Sequence, residues 1–125
     1  MNYLRPVDFA AIERSGPDNR FTQTLIDHTS GAKTCTVYYI RTPAGSGSPA
    51  GLHTHDVDQI FYILEGKMSI EIENKEYEVG PGTLVIFPAG VPHRNWNGGR
   101  EPTAHLAFNT PMPDPNLPFA TPAKT

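Results

Sequence analysis

A chain of 125 residues with a net charge of −3, spread along its length, has room for one domain built around a single core. No basic stripe marks a nucleic-acid surface, no apolar run approaches the roughly 18 residues of a membrane span, and no basic-then-apolar leader opens the chain. The expectation is a cytoplasmic protein that binds neither nucleic acid nor membrane, and its one cysteine, Cys35, excludes an internal disulfide and a cysteine-rich zinc site.

Thirteen prolines and eleven glycines cut the chain into short pieces and argue against long helices. In chain order, DFAAIERSG (8–16) reads as one or two helical turns ending at Gly16, or as a loop over one end of a barrel. Strands are expected over 33–41, 59–66, 67–74, 75–79, 83–88 and 103–109, where apolar residues alternate with polar ones or are β-branched and aromatic. Cys35, in the first of these, reads as a buried strand thiol. In KMSIEIEN, Met68, Ile70 and Ile72 face one way and Ser69, Glu71 and Glu73 the other, the pattern of a half-buried strand. Glu65-Gly66 and Asn74-Lys75 are the expected hairpin turns. Glu71, Glu73, Glu76 and Glu78, interrupted by Lys67 and Lys75, read as a solvated hairpin face. Short strands at regular spacing with Gly/Pro turns predict an all-β sandwich or barrel. The single domain is expected over 1–125, with its core at about 30–110. The tail, 110–125, carries five prolines. It reads either as an extended, frayed end or as a strap across a barrel mouth or partner subunit, anchored by Leu117 and Phe119.

The chemistry-bearing residues lie between. His53 and His55 stand two apart in GLHTHDVDQIF, with Gln59 four residues on. If one strand runs unbroken from 53 to 61, all three side chains share a face, and Phe61 and Ile63 continue it inward. Two imidazoles so placed can reach one cation, and a third group can close the set. A second stretch, GPGTLVIFPAGVPHRNWN (80–97), gives a strand, the turn Pro88-Ala89-Gly90, and then His93, aimed where the next strand begins.

Together these stretches resemble the cupin superfamily. Its first motif reads here Gly47, SPAGL, His53, Thr54, His55, DVD, Gln59, IFYILE, Gly66. Its second reads Gly82, TLVIF, Pro88, Ala89, Gly90, VP, His93, RNW, Asn97. The resemblance implies a double-stranded β-helix, a jelly-roll or cupin barrel, holding one divalent metal, with His53, His55, Gln59 and His93 as ligands. It also implies a homodimer, which outward apolar residues such as Ile60, Leu64, Leu84 and Ile86 would support. Three histidines and a glutamine admit Zn, Mn, Fe, Ni or Cu.

One position departs from the pattern: Gln59 stands where the family usually has glutamate. A glutamine brings no charge and ligates through its carbonyl oxygen, so a bound metal keeps more of its positive charge. That favours Lewis-acid chemistry on a small oxygen-rich substrate, of isomerase, cyclase or lyase type. The alternatives are a cupin dioxygenase and a non-catalytic metabolite-binding cupin. His105 in TAHLAFN shares parity with Ala107 and Asn109. If that face points inward, His105 is a fifth metal contact or a general acid/base; if the Leu106 and Phe108 face does, it is a surface residue. Tyr38 and Tyr39 have opposite parity, so only one reaches the pocket, and Tyr39 is the candidate proton donor.

Overall fold

The computed structural model describes residues 2–47 and 51–123. One short helix, α1 (Phe9–Ser15), precedes ten strands. They are β1 (Phe21–Ile26), β2 (Thr36–Thr42), β3 (His53–Thr54), β4 (Asp58–Glu65), β5 (Met68–Ile72), β6 (Lys75–Val79), β7 (Leu84–Phe87), β8 (His93–Trp96), β9 (Thr103–Thr110) and β10 (Thr121–Pro122). They form two five-stranded sheets, in the orders β1-β2-β9-β4-β7 and β10-β3-β8-β5-β6, with antiparallel neighbours throughout. The all-β expectation holds.

The core between the sheets is where strand alternation meets from both sides. Ile40, Phe61, Ile63, Val85, Phe87 and Ala107 come from the first sheet, and Met68 and Ile70 from the second. Ile63 and Phe87 are completely buried, and each such side chain contributes about 1.5–3 kcal/mol through the apolar area it removes from water. A second cluster covers the outer face of the first sheet. It gathers Ile12 of α1 with Leu25, Val37, Tyr39 and Ala104. Asp8 caps α1 by accepting from the Ala11 amide at 3.0 Å, and Gly16, at φ 88°, ends it.

α1 and β1 pack onto the first sheet, Ile12 and Leu25 joining the second cluster. Two turn expectations are corrected. The tight turn after β5 is Glu73-Asn74, one residue earlier than expected, and both residues have positive φ (51° and 68°). That is the two-residue hairpin geometry whose twist matches the flanking strands. Glu65-Gly66 is not a hairpin turn, since β4 and β5 lie in different sheets. The chain crosses there under Pro102, whose carbonyl oxygen would stand 2.4 Å from any Cβ at position 66. Among the described residues no helix is long and apolar enough to cross a membrane.

Candidate metal centre

Pairing of β3 with β8 sets His53 directly opposite His93. His55 follows just beyond the end of β3. One ligating nitrogen from each of the three lies within 4.8 Å of the others. The ring centroids are 4.5 Å apart for His53 and His93, and 4.9 Å for each of the other two pairs.

The strand is not unbroken from 53 to 61. β3 stops at Thr54 and β4 starts at Asp58, in the other sheet. The corner between them is held by the turn that carries the second motif. The Gly90 amide donates to the His55 carbonyl at 2.9 Å, and the Ala89 amide donates to Asp58 Oδ1 at 2.9 Å. Gly90, at φ 79°, supplies the left-handed residue this turn needs. Motif residues 48–50 lie outside the described residues.

Two of the imidazoles have a fixed tautomer. His55 Nδ1 donates to the Phe119 carbonyl at 2.9 Å, and His93 Nδ1 donates to the Val91 carbonyl at 3.0 Å. A carbonyl can only accept, so each Nδ1 carries the proton and each Nε2 keeps its lone pair. His93 Nε2 is buried and has no hydrogen-bond partner among the described residues. An orphaned buried acceptor among two other imidazoles is the state in which a histidine ligates a metal.

Gln59 lines the same cavity from β4. Its Nε2 donates to Asn109 Oδ1 at 3.1 Å, and Asn109 Nδ2 donates to Thr36 Oγ1 at 2.9 Å. This relay uses the amide nitrogen, and the carbonyl oxygen of Gln59 takes no part in it.

Burial lowers the pKa of all three histidines. For His53 the charge of His55 adds to burial. For His55 burial is opposed by the Phe119 carbonyl and by Gln59. His93 is pushed down to about 4, burial outweighing the Val91 carbonyl, with His53 and His55 pushing the same way. Neutral imidazole is the form that binds a metal.

His105 faces inward on β9 and is completely buried. It is neither a surface residue nor part of the ligand cluster. Its ring packs 4.2 Å from Phe61, which meets Phe87, and Phe87 stacks on His93. Those two phenyl rings stand between His105 and the cluster. Among the described residues neither ring nitrogen of His105 has a hydrogen-bond partner, and burial, helped by the Arg20 charge, lowers its pKa to about 3. Tyr39 does not join the site either. It faces outward from β2 into the second cluster, against Phe9 at 6.1 Å. Burial, then the Glu65 charge, raises its pKa. Tyr38, with the opposite parity, lines the cavity instead.

The cavity measures about 460 Å³ and is walled by Tyr38, Ile40, Phe61 and Ala107 on one side and by the tail on the other. The tail is a strap. β10 pairs with β3, the Ala123 amide donates to the Leu52 carbonyl at 3.0 Å, and Phe119 stacks on His55 at 4.1 Å and 25°. Phe119 is thus an anchor, while Leu117 is 58% exposed and is not. Arg20, Phe119 and Tyr38 are site residues that alternation alone did not single out. The parity of Tyr38 with Ile40 was the signal for Tyr38, the strap reading of the tail was the signal for Phe119, and none pointed to Arg20.

The cupin domain family matches residues 38–108, more than half of the chain. This protein is a cupin. The uncharacterized protein MJ1618 of Methanocaldococcus jannaschii is 35% identical over 66 residues, covering 52% of this chain and 53% of that one. The chain spans about half the length of the curated relatives it matches. Among solved structures, the polyketide cyclase RemF of Streptomyces resistomycificus is 26% identical with a TM-score of 0.65, over 73% of this chain and 64% of that one. A cupin family protein of Methanocaldococcus jannaschii with a double-stranded β-helix fold matches at TM-score 0.71 and 14% identity, over 90% and 93% of the two chains. The barrel of this cupin is therefore a double-stranded β-helix.

Two measurements follow for the cupin site. A chain ending at Asn116 loses both the Phe119 carbonyl and its ring. Its zinc affinity, measured against a competing chelator, should fall about 10–100-fold, as when other outer hydrogen-bond partners of ligands are lost. Phe119→Ala keeps the carbonyl and should lose less; equal affinity of the truncated and full chains would refute the tautomer role. The second concerns acid. His93 and His105 are depressed when folded, so the unfolded chain binds more protons below the ordinary histidine value of 6.5. Their stabilisation is complete above pH 6.5 and is lost as the pH falls toward 4 and 3. Urea melts of metal-free protein should weaken over that range, and His105→Leu should reduce the slope by about 1.4 kcal/mol per pH unit. An unchanged slope would show that His105 is not a buried neutral imidazole.

Proposed function

We propose that this cupin is a mononuclear divalent-metal protein that acts on a small, oxygen-rich organic molecule by Lewis-acid chemistry, of isomerase, cyclase or lyase type. The observation that carries this reading is the convergence of three neutral imidazoles within 4.8 Å, with the buried Nε2 of His93 lacking any partner among the described residues. His53, His55 and His93 would hold the ion, and the carbonyl oxygen of Gln59 would complete the set. A bound divalent ion supplies a Lewis acid that polarises a substrate oxygen. With no carboxylate among these ligands, the protein does not neutralise that charge. Tyr38 lines the same cavity and would be the group that holds or delivers a proton there. Phe119 and the apolar wall would limit the water that reaches the reacting end. Similarity to a polyketide cyclase supports the non-oxidative class.

The reading is tested by elemental analysis of protein purified without chelator or histidine tag. About one equivalent of zinc, manganese or nickel is expected, and His93→Ala should lose it. Iron or copper would instead favour the dioxygenase alternative. No metal, with none taken up on titration, would sink the reading and leave a metabolite-binding barrel.

The proposed assembly is a homodimer. Leu84 and Ile86 of edge strand β7 are 64% and 61% exposed, beside Tyr62 and Ile60 across the ladder. Such an apolar strip on a sheet edge is a site for a second chain. Sedimentation equilibrium should give a dimer for the wild type and a monomer for Ile86→Lys; a wild-type monomer at micromolar concentration would remove the proposal.

A further inference from the structure

The cavity that holds the histidine cluster also holds a cation. Arg20, immediately before β1, lines it together with Thr22, His53, His55 and Gln59. Among the described lining residues none is acidic. Among the described residues Arg20 makes neither an ion pair nor a side-chain hydrogen bond. Its residue surface is exposed to solvent, and the part that lines the cavity is desolvated enough to lower its pKa. A guanidinium offers five donors and normally finds acceptors for them when partly desolvated. Among the described residues none accepts from it.

The charges of the site point the same way. The three histidines are neutral, and position 59 is glutamine. A dication at the cluster and the Arg20 charge would then share one largely apolar cavity with no protein anion to balance either. Like charges in a low-dielectric space repel unless the occupant is negative. We propose that the occupant is a carboxylate-bearing anion, whose oxygen donors meet the histidine cluster while its carboxylate is held by Arg20. The inference rests, for the first end of the ligand, on the metal-centre reading above.

Sheet order sets the span. β1 and β4 are separated by β2 and β9, and the register sets Phe21 level with Glu65, six residues along β4 from Gln59, so the backbones of Arg20 and Gln59 stand roughly 14 Å apart across the sheet and roughly 20 Å apart along it at ordinary strand dimensions. The arginine side chain closes part of that gap. Between the two ends lie Ile40, Phe61 and Ala107, which suit an apolar or aromatic spacer. A cavity of about 460 Å³ is of the size that takes a small metabolite. A carboxylate fits better than a phosphate. One planar fork matches a carboxylate in two parallel bonds, whereas phosphate sites usually add a cradle of backbone amides.

The experiment uses zinc-loaded protein and two probes, hydrocaffeate (a catechol with a propanoate arm) and its uncharged methyl ester. Calorimetry should show the acid binding about tenfold more tightly than the ester, as expected for one charge-assisted contact. Arg20→Gln should remove most of that preference and leave ester binding unchanged. Arg20→Lys should keep only part of it, since an ammonium lacks the fork. Equal affinities in the wild type, or a preference undiminished in Arg20→Gln, would overturn the proposal. Zinc uptake, measured first on the same samples, separates the two failures. If no zinc binds, the metal-centre reading falls; the acid-over-ester preference is then read on the zinc-free protein, where its absence overturns the role of Arg20.

Discussion

Keeping several imidazoles uncharged, close together and correctly protonated is the constraint on which this site depends. A charged histidine repels its neighbours and has no lone pair to share. Burial settles the charge, and for two of the rings a backbone carbonyl settles which nitrogen carries the proton. Neither device is local in sequence. The acceptor for His55 lies 64 residues away in the tail, and the partner facing His53 follows four intervening strands, β4 to β7. A two-sheet barrel brings such distant segments onto one inner surface, and the strap then fastens over its mouth.

Much of this was legible in the sequence. Alternation and β-forming composition located β2, β4, β5, β6, β7 and β9 to within a few residues; β4, β5 and β7 bury one face, while β6 shows its alternation on a strand that is exposed along nearly all its length. They failed where no single face marks the strand. β1 turns Thr22 toward a cavity and Leu25 toward the second cluster, so no clean apolar face appears. β10 contains Pro122, which an edge strand tolerates, so composition alone left the tail open between frayed end and strap. β9 is buried on both faces, with Ala107 in the inner core and Ala104 in the outer cluster. For such a strand, hydrophobicity cannot say which way His105 points. The same double burial hid the difference between Tyr38 and Tyr39.

The resemblance carried the three histidines, and the geometry added what motif spacing omits. Motif residues on Pro88-Ala89-Gly90 serve the first motif as much as the second, since their amides clamp the corner after His55. Conversely, the interior depth that hides His105 behind Phe61 and Phe87 has no counterpart in residue spacing.

The relay behind Gln59 can be run in either direction. Asn109 has an amide with a donor at one end and an acceptor at the other, and the Thr36 hydroxyl both donates and accepts. A glutamate at position 59 would present only acceptors. Asn109 would turn over to offer its amide hydrogens to that carboxylate, and the Thr36 hydroxyl would rotate to donate to the amide oxygen. No other side chain in the relay needs to be replaced. The barrel is thus pre-adapted to exchange a neutral centre for an anionic one, so the electronic character of the site can change hands through a single inherited substitution while the scaffold around it stays the same.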